Sequence, residues 1–378
     1  MKKLRVANIL EEAHIGGPQL RVTVVADKIR NEIETTVILP IKNSTNFESI
    51  LLNKKIKYKK VFLSKITKKF TLAAKYILLS PFELILLIFY FRKRNFDIIH
   101  VSGGAWQFKS MIAAKLSHTK VIWHLNDTYM PKFIRLIFYL LRNYPDAYIF
   151  SSNKTKLYYG NILKDVNNTQ VVIQAPVDTK FFKPIKDFKP KNILHEKIIV
   201  GTIANINPIK GIDIFIEIAS KLNCISTNFE FIIYGSVPIT QKKYYKKLTK
   251  LIIKNNLKNI KFIGNVESTK SYLDNLDIYL CTSKYESSPL SVWEAMSMGK
   301  VVISSDVGDV GHFLNSNGYN SVVNVGDIEG YVISIMKFVK DQNLSYKYGL
   351  HLRDISKKYL DVNICSNHHK KIYRNLKT

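Results

Sequence analysis

Residues 277–299 read DIYLCTSKYESSPLSVWEAMSMG: a strand-length apolar run, a polar loop and a helical stretch in immediate succession. DIYLCTS has the β-branched and aromatic content of a buried strand, and the turn-type residues Lys284, Ser287 and Ser288 end it. Ser288 then reads as a helix N-cap with Pro289 in the first helical position. Leu290, Trp293, Met296 and Met298 form an apolar stripe that Gly299 stops. A helix start of this kind leaves backbone N–H groups unpaired at the positive end of the macrodipole, a place where a phosphate is stabilised. Glu286 lies just ahead of that start and Glu294 five residues into the helix, roughly 7 Å further along at about 1.5 Å per residue. The two acids are too far apart to share one proton. Taken singly, either is also explained by the helix dipole.

Outward from this stretch, KVVISSDVGDVG (300–311) is a second strand punctuated by glycine, and KIIVGTIANINPIKGIDIFIEIASKL (197–222) is strand, polar loop and helix. That helix has a predicted buried face of Ile212, Phe215, Ile216, Ala219 and Leu222. FEFIIYGS (229–236) is a further strand ending in Gly235 and Ser236, and IKFIGNV (260–266) another. The lysines 242, 243, 246, 247, 250 and 254 recur at helical spacing and read as a solvated face.

The first half repeats the pattern. LRVANIL leads into His14, Ile15, Gly16, Gly17 and Pro18, then a helix with Leu20, Val24 and Val25 on one face, which is the opening of a doubly wound α/β domain. TTVILP (35–40), FDIIHVSGG (96–104), KVIWHLND (120–127) and AYIFSS (147–152) supply further strands, and His100 and His124 stand in two of them. PIKDFKPKNILHEK (184–197), with its prolines and charges and no periodicity, reads as a linker.

At 378 residues the chain exceeds what one core usually supports, so two domains are expected. The net charge is +28, concentrated in residues 1–190, with 32 basic against 13 acidic side chains. Such a surface attracts nucleic acid, anionic lipid or phosphorylated substrates. No zinc-finger spacing or RNA-recognition signature supports the first. Between Leu51 and Arg94 there are 12 basic residues and one acid, Glu83, around an apolar run at 77–91 that Pro81 and Glu83 interrupt. The run falls short of the ~20 residues that span a bilayer. With Lys65, Lys68, Lys69, Arg92, Lys93 and Arg94 on its flanks it is expected to lie as a helix on an anionic membrane surface, a core helix with solvated lysines being the alternative. Cys224, Cys281 and Cys365 show no metal-ligand spacing and leave an odd thiol, which points to a reducing, cytoplasmic compartment. Glu11 and Glu12 cut the opening apolar run short of a secretory signal.

The spacing of Glu286 and Glu294, followed by Ala295, Met296, Gly299 and 300–311, resembles the donor-binding motif of the retaining glycosyltransferases of family 4. The Asp277 strand before it and the glycine-punctuated strand after it keep that family's order. The resemblance covers nearly the whole chain and is strongest over 198–327. It implies the GT-B fold, an α/β protein of two Rossmann-like parallel-sheet domains facing across a cleft. Residues 1–184 would be the acceptor-binding domain and 185–357 the nucleotide-sugar-binding domain, with a last helix, about 358–378, packing back onto the first.

The same resemblance assigns the site. Lys210, with Gly211, and the helix start at Ser288, Pro289, Leu290 and Ser291 would meet the diphosphate, with Gly16 and Gly17 beneath it. Gly235 and Ser236 would lodge the nucleoside and Glu294 its ribose, while Glu286 would orient the sugar. A strand-end histidine that contacts the sugar in the family corresponds either to His124 or to Asn126, beside Asp127. Departures are Asn205 for the usual arginine, Ala175 for an asparagine (Asp178 and Phe182 match) and His312 for an acid. The implied activity is retaining transfer of a hexose from a nucleotide diphosphate sugar to a glycan or lipid-linked hydroxyl in cell-surface polysaccharide synthesis, at the inner face of the membrane. No cofactor is implied and, without an Asp-x-Asp pair, no essential metal. A nucleotide-sugar epimerase of the same fold and a basic nucleic-acid-binding protein are the alternatives; no nucleic-acid partner is expected.

Overall fold

The computed structural model of the chain describes residues 3–64, 70–184, 196–264, 268–315 and 318–377, with side chains throughout except at 70–75. Most of the linker read at 184–197 and the basic flank Lys65, Lys68 and Lys69 lie outside the described residues. The chain divides into two compact units, Met1–Pro176 with Val362–Thr378, and Val177–Asp361.

The first unit alternates β1 (Leu4–Ile9), α1 (Gly17–Ile29), β2 (Ile33–Pro40), α2 (Thr45–Asn53), β3 (Lys57–Val61), α3 (Phe70–Arg94), β4 (Ile98–Ser102), α4 (Phe108–Leu116), β5 (Lys120–Leu125), α5 (Lys132–Leu141), β6 (Ala147–Phe150), α6 (Asn153–Leu163) and β7 (Thr169–Val172). All pairings are parallel in the order β3-β2-β1-β4-β5-β6-β7. A parallel sheet covered on both faces needs strands apolar on both sides, and β4 and β6 are buried end to end. β3, at the edge, carries Lys57, Lys59 and Lys60 outward, which blunts it against pairing with another chain.

Helix α1 buries Val22, Val25, Ala26 and Ile29 together with Arg21, while Leu20 is 36% exposed. The expected face of Leu20, Val24 and Val25 is therefore rotated. The set at i, i+3, i+4 and i+7 starts from Val22 and carries Arg21 inward with it.

The second unit comprises β8 (Ile198–Ile203), α7 (Ile212–Ile225), β9 (Phe229–Tyr234), α8 (Lys242–Lys254), β10 (Ile260–Gly264), α9 (Thr269–Asn275), β11 (Ile278–Cys281), α10 (Leu290–Ser297), β12 (Val301–Ser305), α11 (Val310–Leu314), β13 (Val322–Val323), α12 (Ile328–Lys340) and α13 (Gln342–Ile355), with a π-helical turn at Ser356–Leu360. Its parallel sheet runs β10-β9-β8-β11-β12-β13. All five predicted apolar positions of α7 are fully buried, and the α8 lysines face solvent. The chain enters and leaves this unit side by side, with a parallel bridge between Val177 and Asp361.

Helix α14 (Val362–Lys377) belongs to the first unit. It lies against α1 and β4, and its Cys365, Ile372 and Tyr373 join a core with Leu4, Val6, Val25, Ile29 and Ile98. In each sheet the strand order reverses once, between β1 and β4 and between β8 and β11. Ligands of open parallel sheets bind at the carboxyl ends of the strands beside such a reversal.

Candidate functional site

At the reversal of the second sheet, the loops after β8 and β11 are fastened to each other. Asn207 accepts from the N–H groups of Ile209 (3.0 Å) and Lys210 (3.2 Å), winding Pro208–Lys210 into a single 3-10 turn. Gly211 follows at φ 63°, where a Cβ would overlap the carbonyl oxygen of Thr282, so only glycine fits. Thr282 Oγ1 donates to the Lys210 carbonyl (3.1 Å), and the Lys284 N–H donates to that of Ile209 (2.7 Å).

This lacing sets the Lys210 ammonium on Glu286, whose Oε1 also accepts from Ser283 Oγ (2.9 Å). Burial works against the ammonium, but the Glu286 carboxylate more than offsets it and holds the Lys210 pKa above its ordinary value. Gly308, also in left-handed backbone, presses the loop after β12 against the Ser287 carbonyl. Gly235 is packed on the Ala204 carbonyl in the same way, and beside it Ser236 Oγ donates to Asn205 Oδ1 (3.0 Å).

Helix α10 begins at Leu290 with Pro289 as its N-cap, and no side chain caps it. Ser288 is not the cap expected from the sequence. Its hydroxyl accepts from the buried Trp293 indole N–H (3.0 Å), a donor that needs a partner inside the protein. Ser291 accepts from Tyr279 (2.8 Å). Glu294 is the fifth residue of α10, half-buried, and burial pushes its carboxyl up to about 7 against the hydrogen bond from Thr269 that lowers it. Asn205, Lys210, Gly235, Ser236, Glu286, Ser288, Pro289, Leu290, Ser291 and Glu294 thus sit on the strand-end loops and first turns of one unit.

Gly16, Gly17, His124 and Asn126 belong to the other unit. Gly16 is extended, at φ −157°, and neither glycine of the pair needs left-handed backbone. The tight approach is elsewhere, at Gly103 and Gly104 after β4: a Cβ on Gly104 would meet the side chains of Asn126 and Asp127. Asp127 accepts from Tyr159 and from the Ala105 N–H (3.3 Å), and burial pushes its carboxyl up to about 6 in spite of those bonds.

His124 is fully buried. Arg21 Nη1 lies 2.8 Å from its Nε2 and 3.3 Å from Ser151 Oγ. A guanidinium can only donate, so Nε2 accepts and the His124 proton is on Nδ1, 3.1 Å from His100 Nε2. His100 in turn carries its proton on Nδ1, 2.6 Å from the Tyr373 hydroxyl on α14. Burial first, then neighbouring Arg21 and His369, hold both imidazoles well below the ordinary histidine range and therefore neutral. Both ring nitrogens of His124 are occupied within the unit, so it braces β5 against α1 and β4 and leaves no nitrogen for a ligand. Asn126, the other position, is half-buried at the strand end. Sequence reasoning missed Arg21 and Tyr373. The helical period of α1 places Arg21 on the inner face once Val22, Val25 and Ile29 are taken as that face, whereas nothing local marks Tyr373.

Residues 184–351, all within the second unit, match the family model described as glycosyl transferases group 1. Among curated proteins, the chain is 27% identical over 208 residues to the lipopolysaccharide core biosynthesis mannosyltransferase LpcC of Rhizobium leguminosarum bv. viciae, covering 54% of this chain and 57% of that protein. It is 28% identical over 215 residues to the poly(ribitol-phosphate) alpha-N-acetylglucosaminyltransferase of Staphylococcus aureus (strain COL), covering 55% and 42%. The aligned region thus spans about half the length of these relatives. A solved Anabaena HepE, in complex with UDP and glucose, superposes with a TM-score of 0.80 at 18% identity, covering 98% of this chain and 99% of that one. A glycosyltransferase from Rickettsia africae ESF-5 gives 0.82 at 18%, covering 100% and 99%. The two units therefore have the fold of the GT-B glycosyltransferases.

Proposed function

We propose that the chain is a retaining glycosyltransferase of family 4 that moves a hexose from a nucleotide diphosphate sugar to a hydroxyl of a glycan or lipid-linked acceptor, in the synthesis of a cell-surface polysaccharide on the cytoplasmic side of the membrane. The observation that carries this reading is the Lys210–Glu286 pair on loops laced together at the strand reversal, ahead of the α10 start. The names of the two curated relatives support it, one a mannosyltransferase and the other an N-acetylglucosaminyltransferase.

In such a reaction negative charge grows on the departing diphosphate, so the groups that accelerate it are donors aimed there. Lys210 and the first amides of α10 supply them, and no step calls on a divalent ion. Glu294 accepts from ribose hydroxyls. Glu286 orients the sugar and offsets its oxocarbenium-like charge, and it is free to do so once the diphosphate takes its place beside Lys210. The leaving phosphate accepts the acceptor's proton on the face it departs from. The second unit would hold the donor, with Asn205, Gly235 and Ser236 around the nucleotide, and the first unit the acceptor, with Asn126 as a candidate contact.

A panel of nucleotide sugars screened for nucleotide release identifies the donor, and donor incubated alone separates transfer from epimerisation. Lys210→Ala and Glu294→Ala are expected to weaken nucleotide binding by about tenfold or more in calorimetry. Glu286→Gln should spare binding and cut turnover by about 100-fold, and a chelator should leave the parent rate unchanged. Parent-like transfer by all three variants would refute the assignment.

A further inference from the structure

Helix α3 turns Leu78, Phe82, Ile85 and Phe89 outward, each more than half exposed. Their spacing of i, i+4, i+7 and i+11 makes one straight apolar stripe. Helix α5 does the same with Phe133, Leu136 and Leu140, all likewise more than half exposed. Helix α4 packs against both, and Arg92 at the end of α3 donates to the carbonyl of Leu116 at the end of α4 (2.8 Å). The stripes therefore belong to one side of one unit. Exposed apolar stripes on this scale mark an interaction face. Among the described residues no helix is long and apolar enough to cross a membrane.

Charge decides what covers it. Residues 128–145 contain no Asp or Glu, and residues 76–94 contain one, Glu83. Glu83 is fully buried, ion-paired with Lys109 and accepting from the Ser64 N–H (2.8 Å), so it adds nothing to the outer face. The cations stay outside. Lys93 lies over the Phe89 ring (5.9 Å) and Arg142 over Tyr139 (3.6 Å), with Lys132 and Arg135 exposed along α5. Aromatic rings with cations against them and no acid suit the boundary between acyl chains and phosphate headgroups. Two copies of this chain meeting on this face would bring like charges together.

We infer that α3 and α5 form a two-helix docking face for an anionic lipid bilayer. The inference puts the contact expected of the 77–91 run on the outer stripe of α3 and adds α5, which the sequence alone did not single out. It does not depend on the sugar-transfer reading, because its test reads lipid binding and no turnover.

The test is co-sedimentation of the full chain with vesicles of phosphatidylglycerol in phosphatidylcholine, against phosphatidylcholine alone. The chain is expected to bind the anionic vesicles at least about tenfold more strongly, and to be released by high salt. Leu136→Ser with Leu140→Ser, Phe82→Ser with Phe89→Ser, and Lys132→Glu with Arg135→Glu should each weaken binding by about tenfold or more. Lys246→Glu with Lys250→Glu on α8 should not, which separates this face from general attraction to a cationic protein. All these side chains are exposed, so the melting temperature should stay at the parent value; if a serine pair lowers it, the charge pair on α5 decides. Parent-like binding by the α5 variants overturns the inference. So does a parent that ignores anionic vesicles and instead forms dimers that the same substitutions dissociate.

Discussion

A carboxyl held near 7 inside a folded chain reports its own environment. Glu294 is pushed up by burial, so the folded state keeps a proton that the unfolded chain releases near 4.5. The stability tied to it is complete below 4.5 and is lost as the pH rises through about 7. Glu294→Gln, which stays neutral, should leave urea stability unchanged at pH 4 and raise it at pH 8 by up to about 3 kcal/mol, while still weakening nucleotide binding. A gain that is equal at both pH values would show that the buried charge is not its cause. Glu286 and Glu294 were singled out in the sequence because their spacing, with Ala295, Met296 and Gly299 after them, resembles a family motif. The partners that fix Glu286, Ser283 Oγ and the Lys210 ammonium, come from another loop or an unremarkable position, and only the folded chain brings them together.

At the level of the element, the neutral histidines of the first unit set an acid limit on its stability. His100, His124 and His369 are buried on β4, β5 and α14, with His369 lowered to about 3 chiefly by burial and its neighbours well below the ordinary value. The unfolded chain takes up their protons near 6.5 and the folded one does not, so stability is present above 6.5 and falls as the pH drops below it. Urea midpoints between pH 7 and pH 4.5 should show that fall, and His369→Gln should remove about one proton's share of it. A slope untouched by that substitution would place the titration elsewhere. The strands that carry the histidines were readable as apolar runs, but the Arg21 to Tyr373 chain was not. It joins residues 352 positions apart in the sequence, and neither periodicity nor spacing reaches that far. Ser288 was misread for a related reason, since a local capping rule cannot see that Trp293 claims its hydroxyl.

For the molecule as a whole, two parallel sheets followed from the alternation of buried-type strands with helical periods. What that alternation could not supply was the outward aim of α3 and α5, because a highly apolar helix reads the same whether its second face meets a core or solvent. The second unit is one continuous segment whose ends pair with each other, so residues 177–361 expressed alone should fold and melt cooperatively. Residues 1–176 alone should not, lacking the Cys365, Ile372 and Tyr373 side chains that complete a core around Leu4 and Val25. Circular dichroism melts of the two fragments, with a 362–378 peptide added to the second, check this. During synthesis the consequence is one of order: the amino-terminal half emerges from the ribosome first yet waits, its hydrophobic interior open, while the middle segment folds. Closure comes only when residues 362–377 have followed, which makes that interval the time at which a chaperone has most to shield.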